Sequence, residues 1–318
     1  MCRACAGQEA RPSAPYAPEV SRNIGLIGIG AMGEPMAASL LRAGFSVAVC
    51  AHRNRAPLER LLALGVTDAG DPHGVAGRSD VVITMVPDAP QVEEALFGPT
   101  GAVAGAKPGT LFIDMSTISP VATKAFDARL RAAGHRLIDS PVSGGPARAA
   151  SGTLTLMVGA TDADLADARD VLAAMGTPNH VGVVGMGETV KLVNQIIISN
   201  IMIANVEGLV FAKKAGANVA AVRDVILTAT ASNYLLDKWL PTTWLSGSFK
   251  AGFALDLLRK DLAAALDAAR AMGVPLPLSA LSYQMYTASS GEGHGRDDYS
   301  AVAAFYQRAA NVDVNDGL

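Results

Sequence analysis

One lysine of this chain has the setting that acid–base chemistry requires. Lys191 lies in the motif Gly187-x-x-x-Lys191-x-x-Asn194, near the start of a long apolar run with helical periodicity. The positive end of a helix dipole and an apolar environment both favour the neutral amine, which can exchange a proton near neutral pH. Asn194, three residues later, shares a helix face with Lys191. We expect the pair to contact one substrate; on composition alone, a solvated surface lysine is the other interpretation.

Two further segments could hold the substrate. The sequence Asp139-Ser-Pro-Val-Ser-Gly-Gly-Pro follows a strand-like run, and its small residues leave main-chain N–H groups free. We expect Ser143, Gly144 and Gly145 to bind a substrate carboxylate, or else to form an unliganded turn. Lys260, in a helical pattern, could reach substrate or cofactor, or lie on an ordinary charged helix face.

A glycine-rich turn predicts a dinucleotide site. An apolar strand from Asn23 leads into Gly-x-Gly-x-x-Gly and then into a helical pattern. The first glycine permits a tight turn, the second lets the backbone approach a pyrophosphate, and the third lets the helix pack on the strand. The residues that we expect to contact the cofactor here are Gly28, Ile29, Gly30, Ala31, Met32 and Gly33.

The end of the second predicted strand favours NADP over NAD, although NAD is not excluded. An NAD-binding turn usually has an acidic residue about 20 residues after the glycines, whereas this chain has His52, Arg53, Asn54 and Arg55. A guanidinium group can bind a 2′-phosphate through two hydrogen bonds. The alternative is that these are solvated loop residues.

Two later strand ends should border the same site. In a parallel sheet, ligands lie beyond the carboxyl ends of the strands, which here carry Met85, Val86 and Pro87 on one strand and Thr117 after another. Thr117 could bind the nicotinamide ribose, or Ser and Thr here could cap the helix that begins near Ser119.

The strand and helix patterns that must position these residues predict two domains, which follow an N-terminal tail. Strand patterns at 23–28, 46–51, 80–85, 111–114, 136–139, 153–158 and near 180–184 alternate with helices such as 32–42, 119–133 and 162–174. We therefore predict an α/β doubly wound, mostly parallel Rossmann-type sheet over residues 22–185. Helical patterns at 188–215, 218–229, 254–272, 276–289 and 298–310 predict an all-α domain over 186–318, with a long interdomain helix. Residues 1–21 should form a flexible tail.

Composition narrows the class of function. A net charge of −3 and interspersed charges indicate no nucleic-acid partner, and a small-molecule ligand is the expected partner. Three cysteines are too few for a disulfide framework, which favours the cytoplasm, and no histidine or cysteine spacing suggests a metal site. The long apolar run contains several polar residues, which argues against a membrane span.

Four motifs, in this order, resemble those of the β-hydroxyacid dehydrogenases, which include 3-hydroxyisobutyrate dehydrogenase and tartronate semialdehyde reductase and are related to 6-phosphogluconate dehydrogenase. They are the glycine turn with Met32 and Met36, the segment from Asp139 to Gly145, the motif from Gly187 to Asn194, and Lys260-Asp261-Leu262. The resemblance spans about residues 22–310.

The resemblance implies an oxidoreductase that transfers a hydride between NADP(H) and a small β-hydroxy acid or semialdehyde. Lys191 would be the general acid/base and Asn194 its substrate-orienting partner, with Ser143, Gly144 and Gly145 as the carboxylate loop. It further implies that Thr117 and Lys260 contact the nicotinamide end, and that the chain forms a homodimer or homotetramer. The alternatives are an imine reductase of the same fold and a non-catalytic cofactor-binding scaffold.

Overall fold

One sheet of nine strands organises the first part of the chain in the computed structural model, which describes residues 22–250 and 252–316. The predicted tail, 1–21, lies outside these residues. The strands are β1 (Asn23–Ile27), β2 (Ser46–Cys50), β3 (Thr67–Asp68), β4 (Val81–Thr84), β5 (Leu111–Asp114), β6 (Arg136–Asp139), β7 (Val142–Ser143), β8 (Leu154–Gly159) and β9 (Gly176–Gly182).

The strand order places the carboxyl ends of the central strands along one edge. The order is β3-β2-β1-β4-β5-β6-β8-β7, with β9 paired to β8. Strands β3 to β6 in this order run parallel, whereas β8 runs antiparallel to β6 and β7. Consecutive side chains of β1 enter different buried clusters, Leu26 on one face and Ile27 on the other, because strand side chains alternate. The predicted mostly parallel Rossmann-type sheet is confirmed.

The helices cover the sheet and then form the remainder of the chain. Those of the sheet region, residues 22–185, are α1 (Gly33–Arg42), α2 (Ala56–Leu62), α3 (Pro72–Gly77), α4 (Ala89–Phe97), α5 (Ala102–Gly105), α6 (Pro120–Ala132), α7 (Gly145–Ser151) and α8 (Asp162–Ala173). The helical region, residues 186–316, has α9 (Met186–Lys214), α10 (Val219–Leu227), α11 (Leu255–Met272), α12 (Pro277–Gly291) and α13 (Val302–Ala310). It also has a π-helical turn (Leu235–Trp239) and short 3₁₀ turns (Leu240–Thr242, Trp244–Ser246, His294–Arg296, Tyr299–Ala301).

Two predicted elements have different bounds in the structure. The strand expected near 180–184 is β9, Gly176–Gly182, whose polar sequence hides it from a search for apolar runs. Pro178 is tolerated there because β9 pairs with β8 alone among the described strands, so an edge position needs fewer N–H donors. The helix expected at 298–310 begins instead as the 3₁₀ turn Tyr299–Ala301 before α13.

The long helix α9 is a core element of the helical region. Its 29 residues span about 44 Å at 1.5 Å per residue, and by length and composition alone it could cross a membrane. However, Met202 and Val206 on it belong to a buried cluster with Trp244 and Tyr286, and Gln195 and Ser199 are buried polar residues. These contacts make α9 the axis around which the other helices pack.

A buried carboxylate joins the sheet to this helix. Asp139, the last residue of β6, accepts hydrogen bonds from the main-chain N–H groups of Gly185 at 2.7 Å and Glu188 at 2.8 Å. It thereby caps the first turn of α9, whose N–H groups have no partner within the helix. A side chain on Gly159 or Gly187 would collide with the Asp139 carboxylate, so both glycines are needed for this approach.

The junction should make stability depend on pH. Burial raises the pKa of Asp139 from its ordinary 3.8 to about 6, although its two main-chain hydrogen bonds oppose that rise. The protonated form is thus favoured by folding, and the stability that Asp139 contributes is full below pH 3.8 and is lost as the pH rises through about 6. The loss should amount to about 3 kcal/mol.

We expect Asp139→Asn to remove this dependence. Urea unfolding of parent and variant between pH 4 and pH 7 should show that the parent's advantage over the variant shrinks as the pH rises. Asp267→Asn, on the exposed face of α11, is the matched control and should leave the pH profile of the parent unchanged. A parent–variant difference that is independent of pH would contradict the assignment.

Candidate active site

The glycine turn between β1 and α1 leaves room for a dinucleotide. Gly28 has a φ of +101°, and a side chain there would collide with the carbonyl oxygen of Met85. A side chain on Gly33 would collide with the carbonyl oxygen of Gly28. Space is open around Gly30, where a pyrophosphate would approach the backbone. Each of the three glycines therefore meets a different steric requirement, as the motif predicts.

The first turn of α1 fits an anionic group. Met32, at the start of the helix, provides no side-chain cap, so the first N–H groups of the helix remain available to a ligand. Gly30 and Ala31 are exposed. The side chain of Ile29, in contrast, is buried in the core beneath the turn, so that only its backbone can face a cofactor.

The four polar residues after β2 are exposed, and two of them have local partners. Arg55 forms an ion pair of 3.2 Å with Asp68, and the Asn54 carboxamide oxygen accepts a hydrogen bond from the N–H of Ala56. His52 and Arg53 are exposed and have no hydrogen bond or ion pair within the described residues. Arg53 is therefore the guanidinium at this strand end that is free to bind a phosphate.

The strand ends after β4 and β5 are joined to each other. The N–H of Val86 donates to the hydroxyl of Ser116 at 3.1 Å, while Met85 is partly buried and Pro87 exposed. Ser119, and not Thr117, caps α6, through the N–H of Val121. Thr117 instead uses its carbonyl oxygen to accept a hydrogen bond from Lys260.

Lys191 lies in the second turn of α9 and is nearly inaccessible, with 7% of its surface exposed. Its Nζ donates a hydrogen bond of 2.8 Å to the carbonyl oxygen of Val142, one residue before the predicted carboxylate loop. Burial lowers the pKa of Lys191, while the negative charges of Asp261 and Glu188 raise it and the charge of Lys260 lowers it. The expected lowering of the lysine pKa is thus present, with desolvation as its main cause.

A chain of hydrogen bonds connects the other predicted residues. The Asn194 amide donates to Gln195 Oε1 at 2.8 Å, and Gln195 Nε2 donates to Asp261 Oδ2 at 2.7 Å. The other oxygen of Asp261 pairs with Lys260 at 2.8 Å. Asp261 lies in the fourth sequence motif and Gln195 directly follows the third, but the sequence analysis assigned this role to neither. Together they fix the orientation of Asn194 and Lys260 relative to α9.

The small-residue loop faces the helical region. Ser143 ends β7, and Gly144 and Gly145 have φ angles of +134° and +68°, values that residues with a side chain rarely adopt. A side chain on Gly145 would lie 3.6 Å from the carbonyl oxygen of Gly252. Lys191, bonded to Val142, is therefore close to the place where this loop and the segment around Gly252 approach each other.

The segment around Gly252 is held in place by Asp298. One carboxylate oxygen accepts hydrogen bonds from the N–H groups of Gly252 and Phe253, each at 3.1 Å. The other accepts from the indole of Trp239, also at 3.1 Å. Asp298 is fully buried. Asp298 therefore anchors Gly252 and Phe253, which form a wall facing the small-residue loop.

Three buried acids lie behind this site, and the sequence reasoning assigned no role to any of them. Asp114 and Asp139 end the neighbouring strands β5 and β6, and Glu188 lies in the first turn of α9. An acid at the end of each of two adjacent parallel strands was the available signal, because those ends meet at one edge. No three His, Cys, Asp or Glu side chains among the described residues converge in a way that could hold a metal ion.

Family models match nearly the whole of the described chain. Residues 23–190 match the NAD-binding domain of 6-phosphogluconate dehydrogenase, and residues 185–306 match the NAD-binding domain of NADP-dependent 3-hydroxyisobutyrate dehydrogenase. The chain thus has the NAD(P)-binding architecture that the glycine turn indicates.

Curated relatives match over almost their full length. L-threonate dehydrogenase of Cupriavidus necator is 39% identical over 90% of this chain and 97% of its own. The 2-(hydroxymethyl)glutarate dehydrogenase of Eubacterium barkeri is 36% identical over 94% of this chain and 99% of its own. The 2-hydroxy-3-oxopropionate reductase of Escherichia coli is 36% identical over 91% and 98%.

Solved structures give the same assignment. The 3-hydroxyisobutyrate dehydrogenase of Mycobacterium tuberculosis, solved with L-serine, superimposes with a TM-score of 0.83 at 34% identity, over 91% of this chain and all of that chain. An imine reductase of Myxococcus stipitatus has a TM-score of 0.62 at 18% identity over 90% of this chain and all of that chain, a likeness of fold alone. The relatives that share both sequence and fold are dehydrogenases and reductases of hydroxy acids, and the chain belongs to the β-hydroxyacid dehydrogenase family of NAD(P)-dependent oxidoreductases.

Proposed function

We propose that this protein transfers a hydride between NADP(H) and a small β-hydroxy acid or its semialdehyde, of the 3-hydroxyisobutyrate or 2-hydroxy-3-oxopropionate type, with Lys191 as general acid/base. The observation that carries the proposal is the buried Lys191 amine, hydrogen-bonded to Val142 beside the loop of Ser143, Gly144 and Gly145. Relatives named for such substrates support the substrate class.

The chain's own residues would bind the acid and move the proton. The substrate carboxylate lies on the small-residue loop, and its carbonyl or alcohol oxygen lies between Lys191 and Asn194. The bound nicotinamide supplies the hydride in reduction and accepts it in oxidation. Lys191 donates a proton to the developing alkoxide in reduction and takes the hydroxyl proton in oxidation. The wall held by Asp298 helps to exclude water from the reacting atoms.

The cofactor would lie across the carboxyl ends of β1, β2, β4 and β5. The glycine turn and α1 hold the pyrophosphate, with Met85, Val86, Pro87 and Thr117 along the nicotinamide half and Lys260 beside Thr117. Arg53, which has no protein partner among the described residues, binds the 2′-phosphate of NADP; His52, Asn54 and Arg55 border the same site.

We further propose that the sheet and helical regions are separate domains of a soluble, cytoplasmic enzyme that forms a homodimer or homotetramer. Val190, Val193 and Ile197 on α9 are 36–50% exposed and lie at the spacing of one helix face. Such a stripe is suited to burial against a second copy.

Replacing Lys191 tests the reaction. The purified protein should oxidise NADPH in the presence of a panel of small semialdehydes, and Lys191→Ala should lower kcat by about 100-fold to 10,000-fold. Because burial lowers the pKa of Lys191, reduction by the parent should be lost with rising pH below the ordinary lysine value of 10.5.

The matched control is Lys107→Ala, which removes an exposed lysine that pairs with Asp80 at the opposite edge of the sheet. It should retain the parent's rate. A Lys191→Ala protein as active as the parent, or a parent inactive across the panel, would overturn the proposed function.

Replacing Arg53 tests the cofactor preference. Arg53→Ala should lower kcat/KM for NADPH about 10-fold to 100-fold, the usual worth of a charge-assisted hydrogen bond, and leave that for NADH nearly unchanged. Arg55→Ala is the control, since its guanidinium already pairs with Asp68 and should contribute less. Equal losses with both cofactors would contradict a 2′-phosphate contact.

A further inference from the structure

Arg148 is a cation beside the small-residue loop that the proposed reaction does not use. It lies in α7, four residues after Gly144 and therefore about one helical turn along. Side chains of a helix lean back toward its N-terminus and cover the preceding turn. This geometry directs Arg148 toward the loop that we propose to bind the substrate carboxylate.

The contacts of the loop show this direction in the structure. A side-chain carbon on Gly144 would lie 2.7 Å from Cδ and 2.8 Å from Cβ of Arg148. The aliphatic part of Arg148 therefore lies against the main chain of Gly144, in space that a larger residue would occupy. Because the guanidinium group is bonded directly to Cδ, it is held beside the loop.

The guanidinium group of Arg148 has no protein partner. The residue is exposed, and its main-chain carbonyl accepts hydrogen bonds from the N–H of Thr153 and the hydroxyl of Ser151. Its side chain forms no hydrogen bond or ion pair within the described residues. A planar group of N–H donors, suited to a carboxylate or another oxyanion, is thus free beside the loop.

Other residues hold α7 in place. The hydroxyl of Ser39 on α1 donates to the carbonyl oxygen of Ala149 at 2.8 Å, and the guanidinium of Arg42 donates to the carbonyl oxygen of Ala150. Ser39 and Ala149 are buried. The position of α7 therefore does not depend on the Arg148 guanidinium, and a protein altered at Arg148 should keep its fold.

The wall that faces the loop adds positive charge. Lys250, two residues before Gly252, is exposed, and its amine has no hydrogen bond or ion pair in the described part of the chain. The carboxylate of Asp298 is buried and already bonded to N–H groups of the wall and of an indole. Unpaired cations from both regions thus flank the place where Gly145 and Gly252 approach each other, and their field attracts anions.

The proposed binding mode leaves one direction for a substituent of the substrate. In a β-hydroxy acid, the carbon that carries the carboxylate also carries the variable substituent, and the next carbon carries the hydroxyl. The carboxylate lies on the loop, and the hydroxyl oxygen lies between Lys191 and Asn194. The substituent therefore begins next to the loop, on the side where Arg148 is free.

We propose that Arg148 forms a subsite for a second anionic group, carried on this substituent. The preferred substrates are then dianionic β-hydroxy acids or semialdehydes, with a second carboxylate or another oxyanion. The guanidinium binds this group through two parallel hydrogen bonds, and Lys250 adds attraction from the facing wall. Arg148 determines specificity and takes no part in proton or hydride transfer. The inference rests on the proposed function and on the place that it gives to the first carboxylate.

The test compares two alcohols of similar shape and different charge. 2-(Hydroxymethyl)succinate has a second carboxylate where 2-(hydroxymethyl)-4-methylpentanoate has an uncharged isopropyl group. With NADP+, the parent should oxidise the dianion with a kcat/KM at least about 10-fold higher. Arg148→Ala should lower this ratio about 10-fold to 100-fold, the usual worth of hydrogen bonds to a charged group. Arg148→Lys keeps the charge but not the paired hydrogen bonds and should give an intermediate ratio.

The matched control is Arg169→Ala, which removes an exposed arginine on α8 that has no ion pair among the described residues. It should keep the parent's ratio. Binding without turnover gives a second measurement. 2-Methylsuccinate, which lacks the hydroxyl, should inhibit oxidation of the alcohol with the isopropyl group competitively, and Arg148→Ala should raise its inhibition constant by a similar factor.

The outcomes separate this subsite from the proposed function. Equal kcat/KM of the parent for the two alcohols, or an unchanged ratio in Arg148→Ala, overturns the subsite while the enzyme remains active. A parent that oxidises neither alcohol yet reduces other semialdehydes also overturns the subsite alone. Full activity of Lys191→Ala, or inactivity of the parent across the whole panel, overturns the proposed function instead.

Discussion

The capping of α9 by Asp139 is the interaction on which the remaining geometry depends. It fixes the start of α9 to the end of β6. That contact places Lys191, in the second turn of α9, beside Val142. Capping usually stabilises a helix by about 1 kcal/mol, but here the carboxylate is buried and carries a desolvation penalty. The penalty opposes folding, but the same two hydrogen bonds align the edge of the sheet with the start of α9.

The same junction of sheet and helix explains why three acidic residues lie close together behind the site. A parallel sheet brings the ends of β5 and β6 together, and the start of α9 adds a third acid to the two that are already there. Burial raises the pKa of all three acids, and repulsion from neighbouring acids raises those of Asp139 and Glu188 further. The charge of Glu188, with that of Asp261, raises the pKa of Lys191 and so opposes the lowering caused by its burial.

Much of the fold and of the candidate site could be predicted from the sequence, but some elements and some residues of the site could not. The strand β1, the glycine turn and the start of α9 follow from apolar periodicity and from Gly28, Gly30 and Gly33. The two-residue strands β3 and β7 are too short for any periodicity, and the π-helical turn at Leu235–Trp239 has no sequence signature of its own. The spacing of Lys191 and Asn194 in the sequence was enough to identify them as candidates. Glu188 and Asp261, in contrast, cannot be told from exposed charged residues of a helix until their burial is known.

The hydrogen bond from Lys260 to Thr117 joins residues 143 positions apart in the chain. Together with the close approach of Gly145 and Gly252, it means that the residues of the proposed site come from both the sheet region and the helical region. Long-range contacts of this kind form late in folding, because a long loop must close before they are made. Activity should therefore require that the two regions have docked. During refolding, activity should recover more slowly than helical content.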